Sequence, residues 1–271
     1  MKTILITGST DGIGKLAAQQ LAAKGHSVII HGRNAEKIHK TVTEIKEATN
    51  NEHTSGVTAD LSQFHQIENI SQHVAQSNLK IDVLINNAGV FKSTEVTNGN
   101  GLELRYAVNY FAPYLLTHQL IHVMSTDADR RIINLSSAAQ ESVSIAALHG
   151  KQPLSAQSAY AQSKLALTMW TFQLARQHPD IAITALNPGS LLNTRMVQEA
   201  YGRYWSPASK GADIIASLAV DEAYIGVTEK YFDNDLGDPR GNFGPAHADA
   251  YDQTKIDELI AETEQIISSF N

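Results

Sequence analysis

The 271-residue sequence contains no cysteine. This absence excludes disulfides, thiolate zinc sites, iron–sulfur clusters and cysteine nucleophiles. Long apolar runs are missing too, since no stretch approaches the length of a membrane-spanning helix. Any chemistry therefore uses oxygen groups, nitrogen groups or a bound cofactor.

A basic block is also absent. Lysine and arginine total 21 against 28 aspartates and glutamates, for a formal net charge of -7. Nucleic-acid binding needs clustered positive charge, so this balance argues against it as the main task. The start "MKTILITGST" enters a β-branched run directly after Met1, which predicts no signal peptide or anchor. We predict a cytoplasmic protein that binds neither nucleic acid nor membrane.

Short β-branched runs alternate with helix-length amphipathic segments along the chain. The alternation predicts seven strands, at residues 3–7, 27–31, 55–60, 81–86, 131–136, 181–187 and 230–232. These runs are almost continuously apolar, as in parallel strands buried on both faces. We predict an α/β fold in which residues 1–271 form one domain, a Rossmann-type doubly wound parallel sheet flanked by helices.

Other segments are assigned by their periodicity or its absence. Apolar residues at helical spacing predict helices over 13–21, 104–116 and 254–268. Residues 138–157, an insertion, and the Gly/Pro-rich residues 234–247 are predicted as long loops. Residues 190–250 are predicted to contain the lid and the C-terminal substrate region.

The glycine-rich stretch "TGSTDGIG" at 7–14 directly follows the first predicted strand and opens a helix. Its glycines, Gly8, Gly12 and Gly14, allow a tight turn and a close approach to a pyrophosphate at the helix N-terminus. A phosphate-loop NTPase is excluded because Leu16 stands where that motif requires Ser or Thr. The stretch therefore predicts a dinucleotide-binding loop.

The end of the second strand, "HGRN", predicts the cofactor type. An acidic residue there would bind the adenosine ribose hydroxyls and repel a 2′-phosphate, but Gly32 and Arg33 stand in its place. A guanidinium fork suits the phosphate, which favours NADP(H) over NAD(H). Asn34 and Lys15 could add donors, whereas Asp11 counts against phosphate binding. The alternative is that Arg33 only caps a surface turn.

Further motifs follow in order along the chain. They are Asp60-Leu61, "NNAG" at 86–89, Asn109, "INLSS" at 133–137, "YAQSK" at 160–164 and "NPG" at 187–189. Together with the glycine loop, this series resembles the short-chain dehydrogenase/reductase family over nearly the whole chain. The 23-position gap between Ser137 and Tyr160, followed by "AYAQSKLA", resembles the branch of retinol dehydrogenases and protochlorophyllide reductases. The resemblance to this branch does not identify the substrate of the present chain.

The residue patterns above and the resemblance together predict a set of residues that bind NADP(H). The set is Gly8, Ser9, Thr10, Gly12, Ile13, Gly14, Arg33, Asn34, Asp60, Leu61, Asn87, Ala88, Gly89, Tyr160, Lys164, Pro188, Gly189 and Thr194. By resemblance, Asp60 and Leu61 lie by the adenine, and the "NPG" segment runs along the nicotinamide. Thr194 is expected at the carboxamide, although it stands one position later than the commonest family spacing.

Tyr160 and Lys164 stand four positions apart, about one helical turn, so they share a helix face. Such a pair alone is more often a core tyrosine and a solvated lysine, but the ordered motifs favour catalysis. Beside a bound nicotinamide, the ammonium is predicted to lower the pKa of Tyr160, which then exchanges a proton with the substrate. Lys164 is also expected to hold the nicotinamide ribose.

Two more residues are assigned by resemblance. Ser137 is preferred to Ser136 as the hydrogen-bond donor to the substrate oxygen, at the carboxyl end of the fifth strand. The main-chain carbonyl of Asn109 is expected to hold a water that links Lys164 to solvent. An equally good interpretation is that Asn109 bonds a neighbouring turn.

The predicted function is an NADP(H)-dependent oxidoreductase that transfers hydride between the nicotinamide and a carbonyl or alcohol of a small or medium organic substrate. Two alternatives remain open: a dinucleotide-sensing regulator without turnover, and an ene-reductase acting on an activated C=C bond. A homodimer or homotetramer could pair through the helices containing Asn109 and Tyr160, unless the insertion covers them.

Two further sets of residues, a histidine pair and an aromatic cluster, have more than one interpretation. No metal site is predicted, because His118 and His122 lack the glutamate of an H-E-x-x-H motif and are interpreted as surface or subunit-contact residues. Tyr201, Tyr204 and Trp205 fit a substrate lid and core aromatics equally well.

Overall fold

A computed structural model describes residues 1–77, 79–127, 129–237 and 241–270 of the chain. Within these ranges there are eight strands: β1 Thr3–Ile6, β2 Ser27–Gly32, β3 Thr54–Thr58, β4 Val83–Asn86, β5 Arg131–Leu135, β6 Ala182–Asn187, β7 Lys230–Asp233 and β8 Asn242–Gly244. They form one sheet in the order β3-β2-β1-β4-β5-β6-β7-β8. The order reverses between β1 and β4, and ligands of doubly wound sheets bind at such a switch point.

The first seven strands pair in parallel, which confirms the predicted Rossmann-type sheet and its seven strands. The eighth strand, β8, pairs antiparallel with β7. It lies inside residues 234–247, so the prediction of a loop there was wrong at residues 242–244. A three-residue strand next to Gly241 is too short to show a periodicity in the sequence.

Ten α-helical segments lie in the described ranges: α1 Gly12–Ala23, α2 Ala35–Thr49, α3 Phe64–Gln76, α4 Leu104–Tyr106, α5 Ala112–Leu120, α6 Ile145–Leu148, α7 Ala156–Gln177, α8 Arg195–Tyr201, α9 Ala208–Val220 and α10 Gln253–Ser268. A π-helical turn, Ala107–Phe111, joins α4 to α5. Short 3₁₀ turns cover Ile121–Val123, Glu222–Tyr224 and Ala248–Tyr251. The loop predicted over 138–157 was wrong at α6, whose four residues give too little periodicity to detect.

Both faces of the sheet are buried because successive strand residues point to opposite sides. Ile4 and Ile6 pack into one apolar cluster with residues of α1 and α9, whereas Leu5 packs into the other with residues of α5 and α7. Each fully buried leucine or isoleucine contributes about 1.5–3 kcal/mol. The strands are continuously apolar because helices cover both faces of the sheet.

The C-terminal helix α10 packs beside the helices that carry the candidate site. The hydroxyls of Tyr110 and Thr263 lie 2.8 Å apart, and His149, next to α6, hydrogen-bonds Glu262 at 2.6 Å. Part of the surface through which subunit pairing was predicted is therefore covered by the chain itself. The oligomeric state stays a prediction. Among the described residues, no helix combines the length and apolar character needed to cross a membrane.

Candidate active site

The predicted site residues collect where the parallel strands end. The glycine loop follows β1, the "NNAG" segment follows β4, Ser136 and Ser137 follow β5, and Pro188 follows β6. The carboxyl ends of parallel strands share one edge of a sheet, and ligands bind outside that edge. The topology alone therefore brings these four segments together.

The glycine loop has little conformational choice. Gly8 and Gly12 have φ values of 63° and 56°, in the left-handed region that glycine favours. At Gly14, an added Cβ would lie 2.4 Å from the Nδ2 atom of Asn87 and 2.8 Å from the carbonyl oxygen of Gly8. Helix α1 thus packs tightly on the loop, and its first turn presents main-chain N–H groups at the site.

The "NNAG" segment is bonded directly to the glycine loop. The Thr7 hydroxyl accepts hydrogen bonds from the N–H groups of Asn87 and Ala88, each at 3.0 Å. The Asn87 amide donates to the carbonyls of Thr7 at 2.8 Å and Gly8 at 3.0 Å. Its Oδ1 atom is buried and has no partner among the described residues. The structure therefore brings Asn87 and Ala88 to the loop as one rigid surface.

His31, at the end of β2, was missed by sequence reasoning. The N–H of Gly8 donates to its Nδ1 atom at 3.0 Å, and its Nε2 atom lies 3.1 Å from the carbonyl oxygen of Ala59. Burial lowers the pKa of His31 to about 4, so the ring is neutral at pH 7. With Nδ1 accepting, the proton belongs on Nε2. A histidine ending an otherwise apolar strand was the available signal.

Ser9 and Thr10 complete the loop at β2. Ser9 makes two hydrogen bonds with the main chain of His31. The Ser9 hydroxyl accepts from the N–H of His31 at 3.0 Å, and the Ser9 N–H donates to the carbonyl of His31 at 2.9 Å. A Cβ added at Gly32 would lie 2.8 Å from the methyl carbon of Thr10. Arg33, the next residue, is exposed and makes no hydrogen bond within the described ranges. Its side chain therefore stands free at the rim of the loop.

The two auxiliary donors predicted beside Arg33 have other partners. The Asn34 side chain caps α2, accepting from the N–H of Lys37 at 2.8 Å. The Lys15 ammonium pairs with Glu44 at 2.5 Å. The charge of Lys15 is therefore paired with a neighbouring helix, while two of its three N–H groups and the amide NH₂ of Asn34 are left to donate.

Asp60 and Leu61 form the turn after β3. The Asp60 carboxylate accepts from the N–H and the hydroxyl of Ser62, at 2.9 and 2.8 Å. Its own N–H donates to the Gln66 side chain at 2.9 Å. Leu61 is buried. The turn is thus held rigidly at the same edge as the glycine loop, while Asp60 also has a structural task there.

Tyr160 and Lys164 share a face of α7, as predicted. The Lys164 Nζ atom lies 5.6 Å from the centre of the Tyr160 ring and donates a hydrogen bond to the carbonyl of Leu135 at 2.6 Å. Lys164 is only 4% exposed, and this burial lowers its pKa to about 7. A Cβ added at Gly89 would lie 3.6 Å from Nζ, so the "NNAG" segment reaches the ammonium.

The expected lowering of the Tyr160 pKa is not found. Burial raises the pKa of Tyr160, a hydrogen bond with Ser137 opposes that rise, and the nearby Tyr201 adds to it. The Lys164 ammonium is bonded to the Leu135 carbonyl and desolvation is the dominant influence on Tyr160, so the lowering beside a bound nicotinamide stays a prediction. The influence of Ser137 on this pKa places its hydroxyl close to the Tyr160 phenol.

The two serines after β5 face different surroundings. The Ser136 hydroxyl is buried and bonds the Lys164 carbonyl at 3.1 Å and the Thr168 hydroxyl at 2.7 Å. Ser137 is half-buried, and its hydroxyl accepts from the N–H of Ala139 at 3.1 Å. Only Ser137 has a hydroxyl on the open side, which agrees with the preference for Ser137 over Ser136.

Asn109 is fully buried in the π-helical turn. Its side chain accepts from the N–H of Val90 at 2.8 Å and donates to the Val90 carbonyl at 3.1 Å and to the Ser163 hydroxyl at 3.0 Å. This matches the second interpretation, in which the side chain bonds a neighbouring segment. The role of its main-chain carbonyl stays a prediction; π-helical turns are frequent at functional sites.

The segment after β6 closes the site from the other side. The Asn234 amide donates to the Pro188 carbonyl at 2.8 Å, and Gly189 has a φ of 118°. Thr194 caps α8, accepting from the N–H of Val197 at 3.3 Å. Its methyl carbon lies 3.8 Å from where a Cβ of Gly12 would be. Pro188, Gly189 and Thr194 are therefore brought to the glycine loop, with the Thr194 hydroxyl engaged as a cap.

Aromatic rings surround the phenol. The ring of Phe91, which sequence reasoning missed, lies 4.9 Å from that of Tyr160 and 5.7 Å from that of Tyr201. Tyr201 and Tyr204 are each 50% exposed and Trp205 is 66% exposed. These exposures exclude the core interpretation of the three aromatics, whereas the lid interpretation stays a prediction. The signal for Phe91 was its position two residues after "NNAG".

His118 and His122 lie on the surface. The His118 ring stacks on Tyr114 with ring centres 4.3 Å apart. In the part of the chain that the structure describes, no group of three or more His, Asp or Glu side chains could hold a metal ion.

Comparison with known proteins gives concordant results. A family described as short chain dehydrogenase matches residues 2–204. Human retinol dehydrogenase 13 is 31% identical over 252 residues, which cover 86% of this chain and 76% of that protein. An uncharacterised protein from Mycobacterium paratuberculosis has a TM-score of 0.80 at 23% identity, covering 98% of this chain and 93% of that one. A Shigella flexneri short chain dehydrogenase complexed with NADP has a TM-score of 0.70 at 25% identity, covering 87% and 97%.

Proposed function

The chain belongs to the short-chain dehydrogenase/reductase family, in the branch of the retinol dehydrogenases, and on that premise we propose that it is an NADP(H)-dependent oxidoreductase for a carbonyl or alcohol. One observation carries the proposal. The Tyr160 phenol lies beside both Ser137 and Lys164, at the sheet edge where the glycine loop and the "NNAG" segment meet.

In the proposed reaction, Tyr160 is the general acid and base. In the direction of reduction, Tyr160 gives its proton to the substrate oxygen, which the Ser137 hydroxyl also hydrogen-bonds. The ammonium of Lys164 stabilises the phenolate that remains, and its depressed pKa of about 7 lets it exchange protons near neutral pH. NADPH, when bound, supplies the hydride.

The residues at the sheet edge fit a dinucleotide. Side chains are excluded at Gly8 and Gly14, where an added Cβ would meet neighbouring atoms within 2.8 Å and 2.4 Å. The Asn87 Oδ1, which has no partner among the residues that the structure describes, leaves a buried acceptor at the same surface. Arg33, exposed at the rim, is proposed to bind the 2′-phosphate and so to favour NADP(H) over NAD(H). The NADP complex of the Shigella flexneri relative supports that preference.

The surroundings of the phenol favour an apolar substrate. Phe91 and Tyr201 place two aromatic rings beside Tyr160, and aromatic walls bind apolar groups through their large contact area. The human relative is named for retinol, an apolar alcohol. We therefore include long-chain and conjugated aldehydes and alcohols among the candidate substrates.

The first test is a calorimetric titration of the purified chain with NADPH and with NADH. The protein is then assayed with NADPH and a panel of aldehydes, ketones and enones, by loss of reduced-cofactor absorbance. Tighter NADPH binding and turnover of a carbonyl compound are expected. Turnover of enones alone, with the saturated ketone rather than the allylic alcohol as product, would instead identify an ene-reductase. Tight NADPH binding without turnover on any compound would favour the dinucleotide sensor.

A further inference from the structure

His31 joins the ends of three neighbouring strands. It belongs to β2, which lies between β1 and β3 in the sheet. Its ring accepts a hydrogen bond from the N–H of Gly8, after β1, and bonds the carbonyl of Ala59, after β3. One side chain therefore connects the glycine loop to the turn that leads into Asp60.

The two groups that the His31 ring bonds are themselves held in place by other contacts. Gly8 is held from its other side, because a Cβ there would lie 2.8 Å from the Cα of Ala88. Ala59 is held by its own N–H, which donates to the Gly32 carbonyl at 3.0 Å. His31 is 2% exposed, its bond to the Ala59 carbonyl is buried, and its bond to the Gly8 N–H is partly buried. Losing the ring would leave the Ala59 carbonyl unpaired in a buried region and the Gly8 N–H without its fixed partner.

The imidazole must be neutral to make both bonds. The Gly8 N–H needs an acceptor at Nδ1, and the Ala59 carbonyl needs a donor at Nε2, so only the Nε2–H form serves both. An imidazolium would point a donor at the Gly8 N–H. Burial, which lowers the pKa of His31 to about 4, keeps the ring neutral, while the nearby Asp60 carboxylate opposes that shift.

We propose that His31 is a positioning residue of the dinucleotide site, which fixes the glycine loop and the Ala59 turn at one separation and thereby sets the affinity for the adenosine half of the cofactor. The inference rests on the proposed function. His31 touches none of the reacting groups and acts through the main chain of Gly8 and Ala59. Arg33 leaves the same strand two residues later, so its starting point is fixed by the same bonds.

The test compares His31→Leu with His31→Gln. Leucine removes both hydrogen bonds, whereas the glutamine amide offers an acceptor and a donor and can restore them. His39→Leu, on the exposed face of α2, is the matched control. Affinities are measured calorimetrically at 10 °C for NADPH, adenosine 2′,5′-bisphosphate and nicotinamide mononucleotide, after circular dichroism has shown each variant to be folded.

His31→Leu is expected to bind NADPH and adenosine 2′,5′-bisphosphate about tenfold more weakly, because the two hydrogen bonds that position the loop and the turn are lost, while binding of nicotinamide mononucleotide stays unchanged. His31→Gln and His39→Leu are expected to bind all three ligands as the wild type does. A folded His31→Leu protein with wild-type affinity for adenosine 2′,5′-bisphosphate would overturn the inference. A wild-type protein that binds neither NADPH nor the bisphosphate would overturn the proposed function itself.

A second measurement does not depend on any variant. Nitrogen-15 chemical shifts of the wild-type histidines at pH 7 are expected to show His31 as the neutral Nε2–H tautomer. An imidazolium or an Nδ1–H tautomer would contradict the proposed hydrogen bonds, even if the His31→Leu protein did not fold.

Discussion

The glycine loop and the segment opposite it are held in different ways. Around Gly8, hydrogen bonds join the loop to β2, to β4 and to the "NNAG" segment. The flap, residues 193–206, contains α8, whose seven residues include none that is buried. Its base is closed by main-chain bonds, from Asn193 to Ser206 at 2.8 Å and from Trp205 to Leu191 at 3.1 Å.

This difference corresponds to two tasks, binding of the cofactor and binding of the substrate. A cofactor shared by many enzymes needs a site that is already formed, and preorganised hydrogen bonds lower the cost of binding it. A substrate region can vary if it has few contacts with the core, since such segments open with little free energy. We therefore expect changes near the glycine loop to alter stability and cofactor affinity together, and changes in the flap other than at Thr194 to leave cofactor affinity unchanged and to alter stability little.

The largest combined effect on stability and NADPH affinity is expected from a matched pair of glycine substitutions. Gly14→Ala would place a Cβ against Asn87 and the Gly8 carbonyl, with an expected loss of about 1–3 kcal/mol in unfolding free energy and much weaker NADPH binding. Gly202→Ala, in the flap, meets no atom within 4 Å, and costs about 1 kcal/mol because its φ is 65°. Urea unfolding and calorimetry measure both. If Gly14→Ala bound NADPH with wild-type affinity, the proposed difference between the glycine loop and the flap would be contradicted.

Lys164 lies between the two regions and is expected to make the free energy of unfolding depend on pH. Its folded pKa of about 7 lies below the unfolded 10.5, so between these values the unfolded chain holds more protons and stability rises with pH. The slope is at most about 1.4 kcal/mol per pH unit and vanishes below pH 7. Urea unfolding between pH 6 and 9 is expected to show this rise in the wild type and in Lys151→Met, an exposed control, but not in Lys164→Met. An unchanged slope in Lys164→Met would refute the assignment.

Arg33 tests cofactor choice at the rim of the rigid region. Arg33→Ala is expected to weaken NADPH binding about tenfold, or about 1.4 kcal/mol, through loss of the proposed phosphate contact, and to leave NADH binding unchanged. Lys40→Ala removes the same charge from an exposed site further along α2. If the two variants change the ratio of NADPH to NADH affinity equally, Arg33 provides only general attraction.

The smallest effect is expected in the flap. Trp205→Ala should change the free energy of unfolding by less than about 0.5 kcal/mol, because Trp205 is 66% exposed, and NADPH affinity should stay the same. Trp170→Ala is the buried counterpart, with an expected cost of about 3–5 kcal/mol. Thermal unfolding of the two variants measures this contrast. A large loss in Trp205→Ala would show that the flap belongs to the core.

Sequence patterns predicted what is local or repeated. The seven parallel strands follow from β-branched runs, and the glycine loop follows from glycines placed between a strand and a helix. β8 and α6 were missed because three or four residues carry no measurable period. His31 and Phe91 were missed for another reason: their partners, Ala59 and Tyr160, are distant in sequence and meet them only after the sheet has formed. The direction of the Tyr160 pKa shift likewise depends on burial that no motif records.

The most direct test of the central claim is to measure NADPH affinity and turnover on one preparation of Tyr160→Phe, using the best carbonyl substrate of the wild type. Removing one phenolic hydroxyl should lower kcat by about a thousandfold, as loss of a general acid does, while NADPH affinity stays at the wild-type value. Turnover within about tenfold of the wild type would contradict the assignment of Tyr160 as the proton donor.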